Sequence, residues 1–386
     1  MLFVALSLFG CTEKLSLPSG EVPVQVGFSE SDDLTAKINE AVLSFYDQNE
    51  VVGVAVSVIN SNEILHTSGY GWADISEELP LESSTPMLLA SVSKVFIATT
   101  AVQQVEKNGL DLSTSITELV GFPVESPYTN GEITLWHALT HTSGILDSPT
   151  YAEVYAEGDP TISLYDFEKG YLIEDGEYWH RRNYSDVNAG EEYEYGNVAS
   201  ALAGLAIGSF AEMEFADLLQ SDVLDPLGMI NSSYYLRDLT EVVAIPYKAS
   251  LGGFKEYPQY GLPTYPDGSM RSSADDMGRF VLSMLTDNEN ESIMSKDAID
   301  QMMTVDSQVP SEVQGLIWYS EERDGRVLWG HNGGDDGTMS ELLLDRDARI
   351  GVVMILNVSG DDKVADNLLD LELKLLDLAE EYSSAP

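Results

Sequence analysis

A serine and a lysine three positions apart, Ser91 and Lys94, are the residues of this chain best suited to catalysis. They stand at the head of a helical pattern that runs over 91–108. In a helix, a separation of three residues places the serine hydroxyl and the lysine amine on one face, about one turn apart. That spacing lets the lysine accept the proton of a serine nucleophile. Ser93 lacks such a partner, because the residue three positions after it is Phe96.

Two further segments carry groups that a serine–lysine pair would need. In Tyr195-Gly196-Asn197, the phenol hydroxyl can relay a proton and the asparagine can hold a substrate amide. The run Gly330–Gly334 ends a predicted strand, and its glycines let a backbone N–H approach a ligand closely. His137 and His141 have a spacing that can bind zinc, but no third ligand is evident. We therefore expect no metal site.

Three motifs, in this order along the chain, resemble those of a known family of serine hydrolases. Ser-x-x-Lys stands at 91–94, Tyr-x-Asn at 195–197, and His-x-Gly at 331–333 in the place of Lys-Thr-Gly. Supporting phrases are Leu-Thr-His-Thr-Ser-Gly at 139–144, Pro-Leu-Gly-Met at 226–229 and Ser-Ser-Ala-Asp-Asp-Met at 272–277. Over residues 32–380, the chain is similar to the family of class C β-lactamases, D-alanyl-D-alanine carboxypeptidases, D-aminopeptidases and esterases of the same fold.

The resemblance implies a role for each matching residue. It implies that Ser91 is the nucleophile that forms an acyl-enzyme, that Lys94 in neutral form is its base, and that Tyr195 shares in the proton transfer. The backbone N–H groups of Ser91 and Gly334 would form the oxyanion hole. The implied substrate-binding residues are Asn197, His331, Asn332, Gly333 and Gly334. No cofactor is implied.

Two departures from the family pattern bear on the substrate. His331 replaces a lysine, so we expect the positive charge that would bind a carboxylate to depend on pH. Asp335 and Asp336 follow at once, and a side chain of either facing the cleft would disfavour an anionic substrate. We therefore expect neutral or amine-bearing acyl substrates to be handled better than strongly anionic ones.

The composition limits the classes of partner. The chain has 386 residues, 44% of them hydrophobic, and a formal charge of −46. So acidic a surface repels nucleic acid phosphates, and we expect no nucleic-acid partner. The expected partner is a small peptide, amide or ester substrate.

The first residues predict export. Residues 1–10 are an uncharged apolar run typical of a signal peptide, and Leu8-Phe9-Gly10-Cys11 resembles a bacterial lipoprotein cleavage site. We expect Cys11 to be lipidated, residues 11–31 to be a tether, and the protein to lie in the bacterial cell envelope on the periplasmic side. An ordinary cysteine in a frayed apolar terminus is the alternative.

Strand patterns lie towards both ends of the chain and helical patterns between them. We expect an α/β fold in which the terminal strands form one antiparallel sheet flanked by helices, with a mostly helical domain inserted. In the predicted catalytic domain, 32–386, the α/β part is 32–85 plus 305–386 and the helical part is 86–304. The stretch 165–195 has no clear periodicity and is predicted to be an extended loop over the cleft.

These observations predict a serine hydrolase that acts through a Ser91 acyl-enzyme on amide or ester bonds. A D-alanyl-type peptidase, either a carboxypeptidase or similar to a D-aminopeptidase, is the leading function. A carboxylesterase of the β-lactamase fold is an alternative. A catalytically silent protein that binds peptidoglycan fragments or β-lactams is another, although a binder has no need of Ser91, Lys94 and Tyr195 together.

Overall fold

Strands come mainly from the two ends of the chain and helices from its middle. The structure is a computed structural model that describes residues 14–288 and 291–384, so residues 1–10 and Cys11 lie outside it. The strands are β1 Val24–Ser29, β2 Gly53–Asn60, β3 Ile64–Asp74, β4 Leu79–Pro80, β5 Met87–Leu88, β6 Ala156–Glu157, β7 Tyr247–Ser250, β8 Gly253–Glu256, β9 Tyr260–Gly261, β10 Arg271–Ser272, β11 Tyr319–Arg323, β12 Arg326–Asp335, β13 Thr338–Asp345, β14 Ile350–Leu356 and β15 Val358–Ser359. The helices are α1 Asp32–Gln48, α2 Val95–Asn108, α3 Ile116–Val120, α4 Leu135–Leu139, α5 Leu164–Leu172, α6 Asn197–Phe210, α7 Phe215–Leu219, α8 Asp225–Leu227, α9 Ala274–Leu285, α10 Lys296–Met302 and α11 Asp362–Ser383.

One large antiparallel sheet joins the two ends of the described chain. Its strand order is β1-β3-β2-β14-β13-β12-β11, with β4 paired to β3. The central pair of β2 with β14 brings the N-terminal and C-terminal strands together. The predicted α/β architecture with an antiparallel sheet built from both chain ends is therefore confirmed.

The two faces of the sheet support separate hydrophobic cores. Alternate residues of β2 point to opposite faces. Val54, Val56 and Val58 pack into the core that α1 and α11 cover. Ala55 and Ile59 belong instead to the larger core that includes α2, α6 and α9. The sheet thus separates a two-helix layer from the helical region that carries the Ser91–Lys94 pair.

Helices α2 and α6 are buried at the centre of this helical region. Most residues of both helices are buried, so their apolar character is that of core helices. In the described part of the chain, no single helix is long and apolar enough to cross a membrane. Asn197–Phe210 and Phe215–Leu227 meet that criterion only together, as a pair bent by 75°.

Two segments differ from the sequence prediction. Residues 24–29, expected in the tether, form β1 at the edge of the sheet, paired to β3. Most of their side chains are exposed, so the sequence lacks the alternation that marks a half-buried strand. In the predicted loop 165–195, Leu164–Leu172 form α5, which Ser163 caps by accepting a hydrogen bond from the Asp166 N–H. That part of the loop prediction is wrong.

Candidate active site

Ser91 lies on a tight turn that leads directly into α2. The turn is a 3₁₀ helix over Ala90–Lys94, and Ala90 has a φ of 46°, in the left-handed region that a non-glycine residue rarely adopts. Ser93 is fully buried, and its hydroxyl accepts a hydrogen bond of 3.1 Å from the Met270 N–H. The buried Ser93 therefore anchors the turn to the protein interior, while Ser91 itself is half-buried.

Lys94 is fully buried, and three oxygen atoms surround its amine. Nζ lies 3.2 Å from the Ser91 hydroxyl, 2.7 Å from Oδ1 of Asn197 and 2.7 Å from the carbonyl oxygen of Asp267. The last two atoms can only accept hydrogen bonds, so they take two N–H bonds of the amine. The third direction of Nζ points to the Ser91 hydroxyl. This geometry brings the predicted nucleophile and base together.

Asp147 holds Asn197 in the orientation that Lys94 requires. Its carboxylate accepts hydrogen bonds from the Asn197 N–H at 2.9 Å, from the Val198 N–H at 3.0 Å and from Nδ2 of Asn197 at 2.8 Å. The first two bonds satisfy backbone donors at the N-terminus of α6, where a negative charge is favoured. The third fixes the amide, so that its oxygen rather than its nitrogen faces Lys94.

Three aromatic rings, those of Tyr195, His141 and His331, lie close together beside the Lys94 amine. Nζ lies 5.0 Å from the centroid of the Tyr195 ring. The centroid of that ring is 4.5 Å from the centroid of the His141 ring and 6.1 Å from that of the His331 ring. Among the described residues, the Tyr195 hydroxyl and Nε2 of His331 have no hydrogen-bond partner. Both atoms are buried, and buried polar groups in folded proteins usually have a partner, so these two atoms need an explanation.

His331 is a neutral imidazole, contrary to the pH-dependent charge that we expected. Burial, with a smaller contribution from the nearby Lys94 charge, lowers the pKa of His331 to about 3. Its Nδ1 lies 2.7 Å from the Asn332 carbonyl oxygen, which indicates that Nδ1 carries the proton and donates it there. Nε2 is then left as an acceptor. A neutral ring offers no charge to bind a substrate carboxylate.

Gly333 brings β12 into direct contact with the Ser91 turn. A Cβ atom at this position would lie 3.1 Å from the Ser91 nitrogen and would collide with the Leu89 carbonyl oxygen and the Ser340 hydroxyl. Only glycine allows this approach. The next residue, Gly334, is exposed, so its backbone is accessible beside Ser91. The contact agrees with an oxyanion site between the two segments.

The register of β12 separates the predicted binding residues into two groups. His331 pairs with Leu342, which belongs to the core on the active-site face of the sheet. Asn332 pairs with Glu341 on the opposite face, so its side chain does not share the face that carries His331. Of the predicted residues, the structure therefore brings Ser91, Lys94, Tyr195, Asn197, His331 and Gly333 together.

Three residues near the centre were not predicted. Asp147 and the backbone of Asp267 position Asn197 and Lys94, and His141 supports the Tyr195 ring. Burial raises the pKa of the Asp267 carboxyl to about 7, despite the opposing effect of the Lys94 charge. The signal for Asp147 was its position three residues after the phrase at 139–144, because the resemblance places that phrase near the site.

The fold and this site define the class of protein. Residues 38–375 match the family model described as Beta-lactamase, and the chain belongs to that family.

Individual relatives are distant. The chain is 20% identical over 336 residues to protein flp of Staphylococcus aureus (strain N315), covering 86% of this chain and 64% of flp. It thus spans less than two thirds of the length of that relative. Its fold is similar to that of an octameric penicillin-binding protein homologue from Pyrococcus abyssi, with a TM-score of 0.70, 24% identity and coverage of 88% and 77% of the two chains. The D-amino acid amidase of Ochrobactrum anthropi has a TM-score of 0.70, 20% identity and coverage of 92% and 100%.

Proposed function

We propose that this protein is a serine hydrolase that cleaves amide or ester bonds of small substrates through an acyl-enzyme on Ser91. The observation that carries the proposal is the fully buried Lys94 amine 3.2 Å from the Ser91 hydroxyl, with its other two directions occupied by acceptors. A neutral amine in this position keeps one lone pair, and that lone pair faces the serine. It can therefore accept the Ser91 proton as the oxygen attacks.

The acylation step follows from the same atoms. The Ser91 oxygen forms a bond to the substrate carbonyl carbon while its proton passes to Lys94. The carbonyl oxygen becomes negative and accepts hydrogen bonds from the Ser91 and Gly334 N–H groups, and one such donor contributes about a hundredfold to the rate. The bond to the leaving group then breaks as that group takes a proton, and water later hydrolyses the ester.

The leaving group is protonated on the side of Tyr195. Within the described residues, three buried polar atoms of the three rings have no hydrogen-bond partner: the Tyr195 hydroxyl, Nε2 of His331 and Nε2 of His141. The first two are the ones that the proton relay uses. A proton on Lys94 can reach the leaving atom through the Tyr195 hydroxyl, with the neutral His331 as an acceptor beside it. This relay uses each of the three predicted catalytic residues, Ser91, Lys94 and Tyr195.

Intact-mass spectrometry after incubation with a penicillin tests the nucleophile. The wild type and a Ser84→Ala control should gain the mass of one penicilloyl group, and Ser91→Ala should gain none. Hydrolysis of small esters is measured in parallel, so that the test also works if penicillins do not fit the active site. Adduct formation or ester turnover that survives in Ser91→Ala would overturn the proposal.

The same measurements separate the alternatives. A stable adduct without turnover of any ester or peptide indicates a silent binder. Turnover of esters but not of D-alanyl peptides or D-amino acid amides indicates a carboxylesterase. We favour an enzyme similar to a D-aminopeptidase over a carboxypeptidase, because the neutral His331 provides no cation for a terminal carboxylate.

We also propose export to the bacterial cell envelope with a lipid anchor at Cys11. The apolar run 1–10 and the Leu8–Cys11 sequence support this proposal. Membrane fractions should contain the wild type, and Cys11→Ala should be released from them. Equal partitioning of the two proteins would contradict the anchor.

A further inference from the structure

Beyond the contact with the Ser91 turn, β12 presents a backbone edge that no strand covers in the described part of the chain. Its pairing with β11 ends at Gly330, whereas its pairing with β13 continues to Asp335. On the β11 side, residues 331–335 therefore have no strand partner within the described part of the chain. An extended substrate can lie along such an edge. The edge has His331 at one end and Asp335 at the other.

The two ends of this edge differ in the chemistry they offer to a substrate. His331 lies beside Tyr195, where the leaving group would receive its proton. Asp335 is four residues away, about 13 Å along an extended strand. The scissile carbonyl must lie between them, next to Ser91 and Gly334. The acyl part of a substrate therefore extends from the carbonyl towards Asp335.

The side chain of Asp335 faces this acyl region. Alternation along β12 places His331, Gly333 and Asp335 on the same face of the sheet. Gly333 is the residue whose Cα abuts the Ser91 turn, and Asp335 follows two positions later, about 7 Å further on. Its side chain is half-buried, so a substrate can reach it.

Neighbouring donors fix the orientation of the Asp335 carboxylate. The Tyr155 hydroxyl donates to its two oxygens at 3.4 and 3.3 Å, and the Asp336 N–H donates to Oδ1 at 2.8 Å. The Tyr155 ring lies 5.6 Å from the Tyr260 ring, whose hydroxyl donates to the Asp336 carbonyl at 2.9 Å. A carboxylate beside tyrosine rings is a combination that binds ammonium groups, through an ion pair and through the ring faces.

Within residues 14–288 and 291–384, no lysine, arginine or histidine forms an ion pair with the Asp335 carboxylate. The buried Arg271 interacts electrostatically with Asp335 but forms no ion pair with it, because its guanidinium donates to the carbonyls of Ser269 and Tyr260. The Lys94 amine is held by its own three oxygen neighbours, on Ser91, Asn197 and Asp267. A positive group that enters the cleft is therefore the natural partner of Asp335.

A second observation indicates that the ligand of this cleft is polar. His331 is 2% exposed, its Nε2 has no partner, and it lies on the same edge. A buried acceptor of this kind is unfavourable until a donor reaches it. A purely apolar acyl group would leave the Asp335 carboxylate without a cationic partner, although Tyr155 and the Asp336 N–H still donate to it.

We propose that Asp335 is the specificity-determining residue of this enzyme and binds the protonated amino group on the carbon next to the scissile carbonyl. The substrate class is therefore amides, esters or peptides of amino acids with a free α-amino group. This inference rests on the proposed Ser91 acyl-enzyme and adds a position for the amine. Asp335 does not take part in bond breaking, so its loss affects selection of the substrate rather than chemistry.

A pair of substrates that differ in one group tests the proposal. Methyl esters of D-alanine and L-alanine are compared with methyl propionate, which lacks only the amino group. The assay is run at about pH 7, below the usual α-amino pKa of about 8, so that the amine is protonated. We expect the wild type to hydrolyse one alanine ester with a kcat/KM at least tenfold above that for methyl propionate. The preference should appear mainly in KM.

Variants at two adjacent positions give a matched comparison. Asp335→Asn should lower kcat/KM for the alanine ester by about ten- to a hundredfold, the range expected for a hydrogen-bonded charge, and leave methyl propionate within about threefold. Asp336→Asn removes the same charge one residue away and should preserve the preference. Asp335→Glu should restore part of it. Thermal melting of each variant checks that it is folded.

The outcomes distinguish this inference from the proposed function. Ser91-dependent hydrolysis without a preference for the amine overturns the inference alone. The same holds if Asp335→Asn keeps the preference or loses activity on both esters equally. Absence of turnover of every ester together with absence of a Ser91 adduct overturns the proposed function and the inference with it.

Discussion

Replacing Glu372 with glutamine should make the protein more stable at alkaline pH. Glu372 lies on α11, is fully buried, and neither of its carboxyl oxygens has a hydrogen-bond partner within the described residues. Burial, with the nearby Glu341 and Glu321 charges, raises the pKa of Glu372 well above its ordinary value. Burial likewise raises the pKa of Glu341 to about 8. The two groups therefore remain protonated in the folded protein at pH values where a free carboxyl is ionised.

The direction of the pH effect follows from these raised pKa values. Unfolding releases the retained protons whenever the pH is above the ordinary carboxyl value of about 4.3. The free energy of unfolding is therefore highest below that value and falls as the pH rises towards the folded-state pKa. Each retained proton costs about 1 kcal/mol per pH unit over this interval. Over the interval from about 4.3 to about 8 this amounts to roughly 4 kcal/mol. Because Glu341 is partly exposed and solvent screens its charge, we halve the figure to about 2 kcal/mol near pH 8, and we take the same value as a lower bound for the fully buried Glu372.

Thermal melting between about pH 5 and about pH 9 measures the effect. Glu372→Gln should equal the wild type at the acidic end and exceed it by about 2 kcal/mol near pH 8, a rise in Tm of about 2–3 °C for a chain of 386 residues. Asp370→Asn, on an exposed position of the same helix, removes one charge from a protein whose net charge is −46 and controls for general repulsion. An unchanged pH dependence in Glu372→Gln would refute the assignment of buried, protonated carboxyls.

Three substitutions test the active site. Lys94→Ala should slow acylation of Ser91 by a factor of about a hundred to ten thousand, measured by the rate of adduct formation. Replacement of the exposed Lys107 by alanine should leave the rate unchanged. Equal rates in the Lys94→Ala variant and the wild type would exclude Lys94 as the base. Asp147→Asn weakens the anchor of Asn197 and should lower kcat by about tenfold with little change in KM; a change confined to KM would contradict a positioning role. Gly333→Ala should reduce kcat by at least about a hundredfold in a folded protein, because its methyl group crowds the Ser91 N–H; retained kcat would argue against the oxyanion site.

The site residues that lie within the motifs could be predicted from the sequence, because residues a few positions apart have nearly fixed relative positions in space. Ser91 and Lys94 are neighbours on one turn, and Tyr195 and Asn197 flank the start of α6. Helices α1 and α11 have buried apolar residues at helical spacing, so their sequences alone indicate an amphipathic helix. Local sequence is sufficient in these places because local geometry determines the contact.

Contacts between distant segments could not be predicted in the same way. Asp147 reaches Asn197 across fifty positions, and the Asp267 carbonyl reaches Lys94 across 173. A backbone carbonyl has no sequence signature, and an aspartate in a loop resembles many others in so acidic a chain. The neutrality of His331 is likewise a consequence of burial, which appears only once β12 is packed beside the Ser91 turn.

Because Gly333 lies so close to the Ser91 turn, the enzymatic activity should depend strongly on the relative position of the sheet and the helical region. The gap between them is too small for one methyl group, and the Ser340 and Thr338 hydroxyls anchor the carbonyls of Leu89 and Leu88 across it. A displacement smaller than a bond length would misplace the oxyanion donors while leaving the sheet and both cores intact. On warming, ester hydrolysis should therefore be lost at a lower temperature than the circular dichroism signal of the fold. Coincident midpoints would show instead that the sheet and the helical region separate only when the whole chain unfolds.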